Sequence, residues 1–126
     1  MCIRDRASLD HIRNIFTERV ADMCGAEERK GCLFIHTAME LAPQDDELRG
    51  VLQRFMKRMS KAFAIGLDSA KGRGEIPENV DVEAAGDLLT STMFGLAVLG
   101  RAGFPKETLD GIVTSTLGSL QREAGS

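Results

Sequence analysis

Two histidines and three cysteines are the residues of this chain best suited to metal binding or nucleophilic chemistry, and their spacing organises neither. His11 and His36 fall on different helical segments, with no H-E-x-x-H between them. Cys2, Cys24 and Cys32 are an odd, sparse set without a C-x-x-C pair, so they read as reduced thiols and not as a disulfide frame or a zinc site. Cys32 opens an apolar helical segment, where the helix dipole and the nearby Arg29 and Lys30 would favour a thiolate. It is either a buried inert cysteine or a redox or electrophile sensor. His36, between Ile35 and Thr37, is either a core histidine satisfied by a carbonyl or a polar contact inside a small-molecule pocket. No nucleophile elbow, phosphate loop or dinucleotide glycine fingerprint occurs, and Gly72-Arg-Gly74 is a helix stop. With no paired carboxylates or nucleophile–base spacing, an enzyme is disfavoured and no cofactor or metal is implied.

The elements that must position these residues are helical throughout. Apolar periodicity predicts five helices and no strand. The first runs from Ser8, its N-cap, to Cys24, burying Leu9, Ile12, Phe16, Val20 and Met23, with Gly25 as its stop. The second spans Cys32–Ala42 and ends at Pro43. Apolar nearly all round, it is expected at the centre of the domain. The third starts after Asp45 or Asp46 and reaches Lys71, with Leu48, Leu52, Phe55, Met59, Ala62, Phe63 and Leu67 as its inner stripe. Its basic residues between Arg49 and Lys61 lack interleaved exposed aromatics and form a solvated face, not a nucleic-acid patch. After the turn-rich stretch Gly74–Val80, Asp81 caps a fourth helix that Gly103 stops. Pro105 opens a fifth, reaching Arg122, with Leu109, Ile112, Val113, Thr116, Leu117 and Leu120 inward.

The last two helices carry a second pattern. Gly86, Thr90, Ala97 and Gly100 recur at near-helical spacing on the fourth, and Gly111, Ser115 and Gly118 on the fifth. Strips of small residues let another helix backbone come close. A glycine inside a helix costs about 1 kcal/mol against alanine, so each asks for a compensating contact. Two covered faces on the final pair point to a homodimer that packs as a four-helix bundle, or to a crowded crossing within one chain.

Composition narrows the class. The chain has 126 residues, 43% hydrophobic and 28% charged, enough for one folded domain. Its net charge of −3 offers no field for nucleic acid. No uninterrupted apolar run reaches the roughly 18 residues of a membrane span, so no membrane partner is implied and a cytoplasmic location is expected. Phe and Met number six each, Trp and Tyr are absent, and such an interior is deformable, with few fixed polar handles. Met1–Arg6 has no helical period and resembles a translated sequencing adapter. It is read as a non-native leader, with the domain spanning residues 7–123 and a frayed tail at 124–126.

Several segments together resemble the C-terminal, ligand-binding and dimerisation domain of TetR/AcrR-family transcriptional regulators. They are Gly31-Cys-Leu-Phe-Ile-His-Thr-Ala-Met-Glu-Leu-Ala42 before Pro43, Asp45-Asp-Glu-Leu48, Gly74-Glu-Ile-Pro77, Asp81-Val-Glu-Ala-Ala85 and Gly95-Leu-Ala-Val-Leu-Gly-Arg-Ala-Gly103. The resemblance covers Ser8 to Leu120. It implies an all-α, five-helix bundle whose last two helices form the dimer. It also implies repression relieved by a small molecule, and operator DNA bound only through an N-terminal helix-turn-helix that nothing here matches. By topological carry-over, Phe16, Val20, His36, Met39, Phe55, Met59, Phe63 and Met93 would line the effector pocket. Their rings and sulfurs suit an apolar or aromatic effector, cationic ones included. Some family members sense electrophiles through a cysteine near the start of the matching helix, which bears on Cys32. The competing reading is a free-standing helical interaction module without a regulatory ligand.

Overall fold

A computed structural model describes residues 9–23 and 36–122, all helix, turn and connector with no strand among them. Helix α1 is Leu9–Met23, residues 36–41 form the described part of α2, and a 3-10 turn covers Ala42–Gln44. Then come α3 (Asp46–Gly72), α4 (Val82–Arg101) and α5 (Lys106–Gln121). Ser8, the three cysteines, Met1–Arg6 and residues 124–126 lie outside the described residues.

Local chemistry accounts for the boundaries. The Asp45 carboxylate accepts from the Leu48 amide at 3.1 Å, and that of Asp81 accepts from Glu83 and Ala84 at 3.1 and 3.2 Å. Each satisfies amides that the first helical turn leaves without partners. Gly74 and Gly103 adopt φ of +76° and +88°, which lets the chain turn after α3 and α4. Pro105 is the residue before α5, one position earlier than expected, where its missing N–H costs nothing.

α3 and α4 form the longest pairing. They run antiparallel, since Ser60 hydrogen-bonds Asp87 while Phe55 meets Phe94 edge-on at 6.2 Å. Their backbones approach closely at Gly86, where a Cβ would lie 2.5 Å from the Ser60 carbonyl oxygen and 3.2 Å from the Ala64 nitrogen. α1 packs against α3, α4 and α5, with Phe16 stacked on Phe63 at 5.5 Å. Its first amide, that of Leu9, donates to Glu75 Oε1 at 2.9 Å, so α1 is tied to the α3–α4 connector. The core centres on Phe16, Val20, Leu67, Leu89, Leu96, Leu109 and Leu117, all solvent-free, and the expected inward stripe of α5 joins it.

Two expectations need correction. The described part of α2 is peripheral, not central. It buries only Ala38, with Ala42 beyond it, against Leu52, while Leu41 is 47% exposed and Thr37 and Glu40 face solvent. Its buried alanines offer too little surface to anchor a core. On α3, Leu52, Phe63 and Leu67 are buried as expected, but Phe55 and Ala62 are exposed. α1 meets α3 around Phe63 and Gly66 and leaves the outer edge of the stripe open.

Candidate ligand groove and the outward face of α4 and α5

Between α1, α3 and α4 lies a groove of about 400 Å³. From α1 come His11, Ile12, Ile15 and Arg19; from α3, Met59, Ala62, Phe63, Ile65 and Gly66; from α4, Met93. His11, Ile15 and Arg19 are four residues apart and so share one edge of α1. Gly66 pins one end, for a Cβ there would stand 3.2 Å from Ile12 Cδ1. Ile65, 60% exposed, forms part of the open lip. Size and apolar lining suit a small organic molecule. Among the described residues the polar side chains in the lining are His11 and Arg19, and Asp22 one turn on is ion-paired to Arg19.

The residues expected to line a pocket divide among several places. Met59, Phe63 and Met93 line the groove. Phe16 and Val20 do not: they are sealed in the core, turned toward the other helices. Met39 packs on the small Ala38–Leu52 cluster, and Phe55 leans on Phe94 at the surface. His36 is half-buried on α2, and its Nε2 is enclosed with no hydrogen-bond partner. Sequence reasoning missed His11, Ile12, Ile15, Arg19, Ala62, Ile65 and Gly66. The available signal was the i, i+4, i+8 row of His11, Ile15 and Arg19 beside the inner stripe of α1.

The small-residue strips also divide. Gly86, Thr90 and Ala97 are buried within the chain, so they serve intrachain packing and not an outward surface. Gly86 lets α3 approach, and the Thr90 hydroxyl is satisfied by the Gly86 carbonyl at 2.9 Å. Gly100 is half-buried. On α5, Gly111 and Ser115 are exposed and Gly118 half-buried, and a Cβ on Gly111 would meet nothing within 4 Å.

An uncharged row runs along the outward side of α4: Ala84, Leu88, Ser91, Gly95 and Val98, with Ala102 just beyond the helix, recur at spacings of three and four, and all are exposed, with Asp87 at the edge of the row. Leu88 and Val98 are 45% and 44% exposed. With one apolar side inward and another outward, α4 is long and apolar enough to cross a membrane by length and composition, although Glu83, Asp87 and Arg101 interrupt it.

Among the described residues no group of three or more metal-binding side chains occurs. The basic residues of α3 from Arg49 to Lys61 are exposed, as expected of a solvated face.

Comparison with known proteins agrees with this architecture. The family model described as "Tetracyclin repressor-like, C-terminal domain" matches residues 8–114. An uncharacterized HTH-type transcriptional regulator of Bacillus subtilis (strain 168), YezE, is 32% identical over 110 residues, 86% of this chain and 57% of the relative. The chain thus spans little more than half the length of that relative. No solved structure matches it. By this match over most of its length, and by its all-helical fold, the chain belongs to the tetracyclin repressor-like C-terminal domains of transcriptional regulators, which are not enzymes.

Proposed function

We propose that this chain is the effector-sensing and dimerisation half of a TetR-type repressor, released from its operator by a small apolar or aromatic molecule. The observation that carries the reading is the double role of α4. Met93 lines the groove, while Leu88, Gly95 and Val98 belong to the uncharged outward row of the same helix. A molecule seated against Met93 therefore bears on the element that would meet a second copy. Dimer geometry sets the separation of two recognition helices in such regulators. A ligand shifts it only by its differential affinity for the two states, typically about 1–3 kcal/mol. Operator contact belongs to a helix-turn-helix of the kind named for the Bacillus relative, joined to this domain in a longer protein.

Light scattering on the purified chain tests the reading. A dimer is expected, and Val98→Glu should convert it to a helical monomer, because the charge would be buried at the mating surface. A wild-type chain that stays monomeric at tens of micromolar would remove the dimerisation half of the proposal.

A further inference from the structure

We infer that the groove selects ligands with an apolar body and an anionic head, the head held by Arg19. The inference rests on the effector-groove reading and adds the ligand's charge. Eight of the ten lining residues are apolar or glycine, and the two polar ones, His11 and Arg19, are nitrogen donors. No carboxylate lines the groove among the described residues, so a cationic ligand would give up hydration without gaining a counter-charge there.

Arg19 already has a partner in Asp22, and this pair is what makes the site exchangeable. Asp22 contacts one terminal nitrogen of a guanidinium that has five N–H donors in a flat fork. Both side chains are substantially exposed, at 49% and 36%. Solvent-exposed ion pairs of this kind are weak, so a ligand carboxylate can share or replace the contact at little cost. A fork–carboxylate bond at the lip of an apolar groove is stronger than the surface pair, because the ligand's body excludes water from one side. The apolar body then lies along the Ile15 side of α1, over Met59, Phe63 and Met93. The i+8 spacing puts His11 two turns from Arg19, at the Gly66 end of the groove, where it can donate to a second polar group.

Three probes with one bicyclic body separate charge from shape: 2-naphthoate, 2-naphthylmethanol and 2-naphthylmethylammonium, titrated calorimetrically into the full chain. Naphthoate should bind about tenfold more tightly than the alcohol, the increment of one charge-assisted hydrogen bond, with the ammonium weakest. Arg19→Gln should bring naphthoate down to the level of the alcohol, and Asp22→Asn should tighten it by freeing the guanidinium. Ala62→Phe, at an exposed position filling the groove, should weaken all three. If the ammonium binds best, or Arg19→Gln leaves naphthoate unchanged while Ala62→Phe weakens every probe, the anion preference is overturned and the groove stands. If no probe binds, or Ala62→Phe changes nothing, the groove reading itself falls and takes the inference with it.

Discussion

The inner and outer sides of α4 use glycine for opposite reasons. Inward, Gly86 is explained by its own chain, since a Cβ there would stand 2.5 Å from a carbonyl oxygen of α3. Outward, Gly95 faces nothing within 4 Å, and neither does Gly111 on the neighbouring α5. A helix with an open surface gains by replacing such glycines with almost any residue. Glycine is thus needed on one side by contacts already present, while on the other it marks contacts that the single chain does not supply. In the dimer proposed above, a second copy supplies them.

Substitutions ordered by size test that contrast. Leu89→Ala, on the solvent-free inner side, should cost about 2–5 kcal/mol in urea unfolding followed by circular dichroism, because it empties core volume. Gly86→Ala should cost about 1–3 kcal/mol, since the intruding methyl meets backbone and not a flexible side chain. A neutral result there would mean that the close approach of α3 and α4 is not needed. Gly95→Ala with Gly111→Ala should do the reverse in two separable measurements. Diluted to monomer, the variant should gain up to about 1 kcal/mol per site from helix propensity. At concentrations where the wild type is paired, its dissociation constant should rise, because the added methyls hold the two surfaces apart. Unchanged pairing would show that these glycines lie off the contact.

Much of the fold was legible because its signals are local. Asp45 and Asp81 before apolar runs announce their caps, Gly74 and Gly103 announce left-handed turns, and the three-and-four spacing from Leu109 to Leu120 gives the buried side of α5. What failed were inferences that needed to know which helix covers which. The apolar character of α2 suggested a central position, yet in its described part Leu41 is open, because hydrophobicity around a helix does not name its neighbours. Phe16 and Val20 share a stripe with residues near the groove, but crossing geometry turns them into the core. Nothing in the sequence reading assigned Arg19 or His11 to a pocket. They line the groove because α1, α3 and α4 come together around it, a relation between helices that no single sequence segment contains.

The bond from the Leu9 amide to Glu75 has a consequence for how the molecule comes together. One wall of the cleft is latched to a carboxylate that lies 66 positions away and is presented only once the hairpin of the third and fourth helices has turned. Closing so wide a loop carries the entropic cost of a distant contact. A guest bridging the two walls would therefore lend its binding energy to this long-range closure, and the empty domain would have that much less resistance to opening at the latch.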